Sequence, residues 1–441
     1  MKRIEIANWA VDEAKRLGAQ AARAELSCID MLNVQCEDAE VSTLQQNSGC
    51  GLVLRLFVDG RFGTFSTNRL DKSEISSLIQ NGIACTRLLS QDPDRTLPDP
   101  ARYYKAGSFE QNRLESLALE SFKENDPNID PVKLALSIGK PVLGSDSRII
   151  HLTTQFGSRS GWQYIADSQG FQGIGFCSNA YAYTSVSLRD EGDSRPSDGW
   201  VEAGICYDEL LPLLPGLGPK ALFAARWRLG ATSVKPGFYH LAVEPVCLMK
   251  LLDPMLDAMN GYNLYMHRSF LTDRLHKQVA SSLLTLTDEP QRKGAFGACL
   301  YDLEGVRTQF TPLIQEGRLM TYFFSTYYAR KMKTQPTLSG SNVLCIAPGS
   351  RTRQEILSDY EETILITGFL GGNCNEVTGD FSYGIEGQLF RKGERIQGVS
   401  GMNITGNMLQ LWQNLCQIAS DTERTFDGYF PTLFFENINL Q

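Results

Sequence analysis

The segment GLVLRLFVDGRFGTFST (51–67) constrains the fold more than any other part of this 441-residue sequence. Apolar residues alternate with polar or small ones on both sides of Asp59-Gly60, a dipeptide that favours the tight turn of a β-hairpin. Residues 148–188 are rich in Thr, Ser, Tyr, Phe and Gly, a composition typical of antiparallel strands. The first half of the chain is therefore predicted to contain an antiparallel sheet.

Helical periodicity is confined to a few segments. Apolar residues recur at helical spacing over 7–17, and Gly18 follows as a C-cap. Asp71 and Glu74, three residues apart, predict a capping box at the start of another helix. A helix is also predicted over 408–418 in the strand-rich last third of the chain. Its apolar face is formed by Met408, Leu411, Trp412, Leu415 and Ile418.

The length predicts two or three domains, at about 150 residues per domain. A polar stretch at 189–199 and a cluster of prolines and glycines at 212–219 indicate a joint between two lobes. We therefore predict an α+β fold, with an N-terminal antiparallel sheet and helices in a domain over 1–200. A strand-rich C-terminal domain is predicted over 201–441.

Charge and hydropathy exclude several classes of partner. The chain has 42 basic and 50 acidic residues, a net charge of −8, which disfavours binding to nucleic acid or to an anionic membrane. No apolar run approaches the 18 residues of a membrane-spanning helix. The N-terminal residues lack the apolar region of a signal peptide, so we expect a cytoplasmic protein. The 11 scattered cysteines include no CxxC pair and are predicted to be reduced and mostly buried.

Common catalytic motifs are absent from the sequence. There is no GxxxxGK[ST] phosphate loop and no GxSxG elbow, and GFQGIGF (170–176) lacks the following helix of a dinucleotide site. The four histidines include no pair at HExxH spacing. From motifs alone, no reaction can be assigned.

Four separated blocks and their order carry more information. They are GCGLVLRLFVDGRFGTFSTNRLD (49–71), YDLEGVRTQFTPLIQEGRLMTYFFSTYYARKM (301–332), GGNCNEVTGDFSYGIEGQLFRKGERI (371–396) and NITGNMLQLW (403–412). Together they resemble the TldD/PmbA family, also called the modulator of DNA gyrase family, over nearly the whole chain. We see no gyrase-binding motif.

The resemblance allows a test for a zinc site. The TldD branch is a zinc metallopeptidase with His-Glu-Xaa-Xaa-Xaa-His on a helix and a further Cys ligand near the C-terminus. On this chain Val243, Glu244 and Leu248 fall at the His, Glu and His positions, and 421–441 contains no cysteine. Valine and leucine cannot bind a metal, so we expect no zinc in this chain and no catalytic residue, although Glu244 is retained.

These features are similar to the PmbA (TldE) branch, which lacks the metal site. That branch forms a heterodimer with a TldD-like zinc chain and degrades or processes unfolded or short peptides. The resemblance therefore implies a non-catalytic subunit with a TldD-like partner. We select as candidate substrate-binding residues Asn373, Asn375, Thr378, Gly379 and Asp380. For each of them, polar packing within a loop is the alternative interpretation.

Two other hypotheses stay open. In the first, the chain is a stand-alone homodimer that binds peptides without cutting them. In the second, it is a self-sufficient metallopeptidase with a non-standard site. The second of these would use Glu244, Cys247 and His240, which lie close together in sequence.

Overall fold

The helices and strands of this chain fall into two blocks along the sequence. The computed structural model describes residues 3–121 and 128–441. The first block contains α1 (Ile4–Arg16), β1 (Ala21–Glu37), β2 (Glu40–Val58), β3 (Arg61–Thr67), α2 (Lys72–Thr86), α3 (Phe109–Leu119), α4 (Pro131–Gly139), β4 (Ile149–Asp167), β5 (Gln172–Leu188), β6 (Ser197–Gly204), α5 (Tyr207–Leu210) and α6 (Leu214–Trp227). The second contains β7 (Gly237–Val243), α7 (Met249–Met259), α8 (Gly261–Tyr265), β8 (Leu286–Asp288), β9 (Thr311–Gln315), β10 (Arg318–Leu319), α9 (Thr326–Lys331), β11 (Leu344–Ile346), α10 (Arg353–Asp359), β12 (Glu362–Cys374), β13 (Asp380–Arg391), β14 (Glu394–Asn407), α11 (Met408–Gln413), β15 (Leu415–Ile418), β16 (Glu423–Arg424), β17 (Gly428–Phe430) and β18 (Leu433–Leu440).

The first block builds one antiparallel sheet in the order β3-β2-β1-β4-β5-β6. Its predicted hairpin is confirmed: Val58 pairs with Arg61, and Asp59 and Gly60 both have positive φ, of 50° and 70°. Such a turn matches the right-handed twist of the strands it joins. The antiparallel strands predicted over 148–188 are confirmed as β4 and β5, two long strands that pair along nearly their whole length.

Helices cover one face of this sheet. Ala24 of β1 is buried beneath α1 and α2, and Val34 of the same strand is buried with α4, α5 and α6. These residues are ten apart, so both side chains lie on the same face. Arg23 and Asn33 lie on the opposite face. That face meets the second block of the chain at one end, through Arg23, and is open around Asn33.

The second block builds two six-stranded sheets. One has the order β10-β9-β8-β11-β17-β16, and the other has the order β14-β13-β12-β7-β18-β15. In the latter, β14 also pairs with β18, through Ile404–Leu440 and Thr405–Asn439. The sheet therefore closes into a five-stranded barrel with β7 between β12 and β18. Trp412 of α11 lies in the core of this barrel, where it is fully buried and packs edge-on against Phe435.

Two local predictions about helices are wrong in detail. The helix α2 begins after Asp71, but the Asp71 side chain accepts no capping hydrogen bond, so the capping box does not form. The helix predicted over 408–418 ends at Gln413, and residues 415–418 form strand β15 instead. Pairing of β15 with the distant β18 outweighs the helical periodicity of those residues.

The predicted division after residue 200 lies inside β6, which belongs to the first sheet. The chain leaves that sheet after Gly204, and α6 then packs against β5 and β6. The exact placement of the division stays a prediction.

The expectation that all cysteines are reduced is wrong for one pair. Cys28 of β1 and Cys50 of β2 form a disulfide. The antiparallel register places these two residues directly opposite each other, which brings their Cβ atoms close together. Burial is also less general than predicted: Cys36, Cys206 and Cys345 are buried, whereas Cys85 is exposed.

The helices were also searched for membrane spans. Over the described ranges, none is both long enough and apolar enough to cross a membrane.

The buried guanidinium of Arg23 joins the first sheet to the second block. Arg23 of β1 lies 3.0 Å from the carboxylate of Asp167 at the end of β4, and these side chains are 3% and 0% exposed. The same guanidinium donates to the backbone carbonyls of Leu303 and Glu304, at 2.9 and 2.6 Å. Tyr103 donates its hydroxyl to Asp167 at 2.6 Å. Arg23 therefore connects the two halves of the molecule in a site that excludes water.

We expect Arg23→Ala to lower the free energy of unfolding by about 3–5 kcal/mol, because it leaves Asp167 buried without its cation. Arg113→Ala is the matched control, since Arg113 is 43% exposed and pairs with Glu110, 61% exposed, on the surface of α3. Its loss should change stability little. Urea unfolding followed by circular dichroism measures both variants. Equal shifts of the midpoint would show that the Arg23 contact contributes no more than a surface pair.

Candidate functional site

The first candidate site lies at the end of β7, where the zinc motif of the TldD branch would fall. Val243 pairs in β7 with Ile366 of β12 and Leu433 of β18, and its side chain is fully buried. Leu248, after a short 3-10 turn, is also fully buried. Both side chains belong to the core of the barrel. The two positions assigned to histidine are therefore packing positions.

Glu244, between them, is bound to an arginine. Its carboxylate accepts a hydrogen bond of 2.9 Å from Arg353 at the start of α10, and Arg353 also lies 3.7 Å from Asp421. Burial raises the pKa of Glu244 above its usual range, and the positive charge of Arg353 offsets part of that increase. The carboxylate thus has a fixed cation as its partner.

Cys247 and His240 do not complete a catalytic or metal site with Glu244. Burial, with the nearby charges of Glu244 and Asp198, raises the pKa of the Cys247 thiol to about 12, so the thiol is protonated at neutral pH. His240 stacks on Tyr360 with a ring separation of 4.0 Å. Residues 3–121 and 128–441 contain no group of three His, Cys, Asp or Glu side chains placed to hold a metal. The residues at this site do not fit zinc.

The second candidate site is the connection between β12 and β13. The side-chain oxygen of Asn375 accepts two backbone N–H groups of the turn, at 2.9 and 3.2 Å. Thr378 donates its hydroxyl to Asp380 at 2.8 Å, and Asn407 donates to the other oxygen of Asp380 at 2.9 Å. These bonds lower the pKa of Asp380. Gly379 has a φ of +79°, as this turn requires.

Four of the five predicted substrate residues therefore lie together, but they bond chiefly to one another and to Asn407. Asn373 lies apart from them, beside a cavity of about 160 Å³. The cavity is also lined by Lys250, Asp253, Asp257, Phe270, Glu376 and Tyr383. Glu244 is further away still: its N–H bonds to Ile366, and Asn373 lies seven positions after Ile366 along β12. At about 3.3 Å per residue, the two predicted sites lie on the order of 20 Å apart.

A third site, which the sequence analysis missed, is the open face of the first sheet. A cavity of about 570 Å³ lies on this face, and a second of about 540 Å³ extends from it toward the second block of the chain. Arg159 of β4 lines both cavities. We call this continuous depression the sheet groove. The first cavity is lined by Met31, Leu32, Asn33, Gln45, Asn47, Gln155, Ser158, Arg159, Asn179, Tyr181, Tyr183, Val201 and Phe426.

A sequence signal for the sheet groove did exist. Helices cover one face of a sheet, and the alternate residues of β1, β4 and β5 that face away from them are amides, tyrosines and an arginine. A run of large polar side chains at alternate positions of long strands indicates a face that is not filled by a core.

Comparisons with known proteins decide the family. The model of the PmbA/TldA metallopeptidase C-terminal domain matches residues 236–441, and the model of domain 1 matches residues 30–85. A solved structure from Bacteroides thetaiotaomicron, named as a modulator of DNA gyrase, is 38% identical. It aligns with a TM-score of 0.93 over 99% of this chain and 98% of that one. The chain belongs to the TldD/PmbA family.

More distant relatives agree with the TldD/PmbA assignment. The metalloprotease PmbA of Escherichia coli O157:H7 is 24% identical over 414 residues, 92% of this chain and 88% of that protein. The crystal structure of TldE from Thermococcus kodakarensis is 19% identical and covers 99% of both chains with a TM-score of 0.86, which shows a shared fold. A peptidase-related function is thus established for the TldD/PmbA family to which the chain belongs.

Glu244→Gln tests the electrostatics of the first site. Below the ordinary pKa of 4.5, the carboxyl group is neutral in the folded and unfolded states, so pH should not affect the difference between variant and wild type. Above 4.5, the unfolded chain ionises more readily than the folded one. The stability of the wild type should therefore fall relative to that of E244Q until the pH passes the raised pKa.

Urea midpoints of both proteins at about pH 4 and about pH 8 measure this effect. Glu361→Gln is the control, because Glu361 is 73% exposed and its replacement should have a small effect at either pH. A stability advantage of the wild type over E244Q that grows with pH would mean that the Arg353 pair outweighs burial.

Proposed function

We propose that this chain is the metal-free, non-catalytic PmbA/TldE-like subunit of a zinc metallopeptidase of the TldD/TldE type. The observation that carries the proposal is the burial of Val243 and Leu248 in the barrel core, where neither position can offer a metal ligand. The pairing of Glu244 with Arg353 supports it, because a carboxylate held by a guanidinium is poorly placed to activate a water molecule. Zinc and hydrolysis belong to a TldD-like partner.

The substrates in this proposal are unfolded or short peptides. An extended chain has unpaired backbone N–H and C=O groups that amide side chains can bind without reading the sequence. The sheet groove offers five amides and two tyrosines for this purpose. The first cavity of the sheet groove has a volume of about 570 Å³, which lies within the range of about 300–1,000 Å³ that is usual for ligand sites. We place the assembly in the cytoplasm, with neither nucleic acid nor membrane as a partner.

The direct test is to measure zinc and peptidase activity for the chain alone and with a TldD-like chain from the same genome. We expect the isolated chain to retain essentially no zinc after dialysis and to leave an unfolded test protein uncut. The co-purified pair should retain about one zinc and cut it, because only the partner supplies three ligands. Inductively coupled plasma mass spectrometry and gel assays measure the two properties.

A matched control separates assembly from chemistry. Replacing the glutamate of the partner's His-Glu-Xaa-Xaa-Xaa-His by glutamine should abolish cleavage while the two chains still co-purify. If the isolated chain instead retained about one zinc and cut peptides until a chelator was added, the proposal would be wrong. The self-sufficient metallopeptidase would then be the correct hypothesis.

A stand-alone homodimeric peptide-binding protein is the second candidate. It would bind peptides through the same five amides and two tyrosines of the first cavity of the sheet groove. A homodimer by light scattering, with peptide binding and no association with a TldD-like chain, would support this candidate over the first.

A further inference from the structure

The sheet groove has a regular arrangement that follows from strand register. Arg159 of β4 pairs with Met31 of β1 and with Asn179 of β5, and Met31 pairs in turn with Asn47 of β2. These four side chains therefore form one row across the open face. Two residues along, the next row contains Asn33 and Tyr181, which pair with Gly157 on either side.

Glycines give the tyrosines of the groove their position. A Cβ atom at Gly157 would lie 2.5 Å from the ring of Tyr181, and one at Gly199 would lie 2.6 Å from the ring of Tyr183. Each ring therefore lies flat over a glycine and forms part of the floor. The side-chain amide of Gln155 connects two residues of this floor by donating hydrogen bonds to Asn33 at 2.6 Å and to the hydroxyl of Tyr181 at 3.1 Å.

Arg159 is the only charged side chain among the described residues that line the first cavity. Within 3–121 and 128–441 its guanidinium makes no ion pair within 4.0 Å, whereas Arg23, Arg228 and Arg353 are all paired. Glu120 and Asp302 line the second cavity, and neither forms an ion pair with Arg159. Burial raises the pKa of Glu120 to about 8 and also raises the pKa of Asp302.

We propose that Arg159 binds the α-carboxylate of a peptide whose backbone lies along the row of amides in the sheet groove. This inference rests on the proposed peptide function and specifies its substrate: peptides with a free C-terminus. A planar guanidinium binds a carboxylate through two parallel hydrogen bonds, and it does so most strongly when no protein carboxylate competes. Asn33, Asn47 and Asn179 lie within one row of Arg159 and can bind the adjoining backbone groups.

Charge favours a peptide carboxylate over nucleic acid as the occupant. One guanidinium provides a single phosphate contact, whereas nucleic-acid binding at physiological salt depends on several. The chain as a whole carries a net charge of −8, which repels a polyanion. A carboxylate at the end of an otherwise neutral backbone matches one cation surrounded by amides and apolar side chains.

The test compares two forms of one peptide. A short peptide of alanine, glycine and leucine, with a neutral dansyl group at its N-terminus, is prepared with a free carboxylate and with a C-terminal amide. Fluorescence anisotropy measures both against the full chain, alone and paired with the inactive TldD-like partner. We expect the free acid to bind about tenfold or more tightly than the amide, since the amide loses a charged hydrogen bond.

Arg159→Gln should remove this discrimination, so that both peptides bind with about the affinity of the amide. Arg318→Gln is the matched control, because Arg318 is an exposed arginine of β10, in a different sheet. It should keep the wild-type preference. Unchanged melting temperatures of both variants would exclude unfolding as the cause.

Each of the other outcomes contradicts the inference, and each shows whether the Arg159 site alone or the proposed peptide function is wrong. Peptide binding with the same preference in R159Q as in the wild type rejects the Arg159 site and leaves the proposed function intact. No binding of either peptide rejects the peptide function and the inference with it. If R159Q changes the oligomeric state without changing peptide preference, the open face is an interface between copies. A last outcome is that the wild type binds a short oligothymidylate but does not discriminate between the two peptides. If R159Q then loses the oligothymidylate binding, the site binds phosphate instead of a peptide carboxylate.

Discussion

The buried guanidinium of Arg23 has partners in both halves of the molecule: it pairs with Asp167 within the first sheet and bonds to backbone carbonyls of the second block. Arg23 lies near the start of β1 on the face that the helices leave free, and its guanidinium reaches the carbonyls of Leu303 and Glu304. This contact lies at one end of the long strands, and the second block also reaches β6, where Arg424 donates to the backbone carbonyl of Ala203. The sheet groove lies on the same face as Arg23, but Arg23 lines neither of its cavities.

Closure of the barrel has a comparable effect on the first candidate site. β7 is the strand between β12 and β18, and closure through β14 and β18 requires its inward residues to be apolar. Val243 meets that requirement, and Leu248 meets it after the following turn. In the predicted correspondence with the TldD branch, these two positions are those of the zinc-binding histidines. Packing and metal binding are therefore competing uses of one place in the fold, and this chain uses it for packing.

The sequence was most informative where structure is local. The hairpin at 51–67 depends on Asp59-Gly60 and on alternation within one segment, and it was predicted correctly. The helix over 408–418 was predicted too long, because residues 415–418 form a strand only by pairing with β18. The open face of the first sheet had a local signal in its alternating polar residues, but the arrangement of the sheet groove had none. Its row joins Met31 to Arg159, and no local pattern reveals a register between residues so far apart.

The predicted sites show the same limit. Residues at 375–380 are polar and close together, which indicates a site, yet their hydrogen bonds are made within the loop and to Asn407. Polar side chains already bonded to one another have little left to offer a ligand. Arg159 is the opposite case: nothing in its local sequence distinguishes it, but the fold surrounds it with amides, and it forms no ion pair with any of the described residues. The sheet groove and the end of β7 are separate places, because Val243 and Leu248 pack in the barrel core and line neither cavity of the groove.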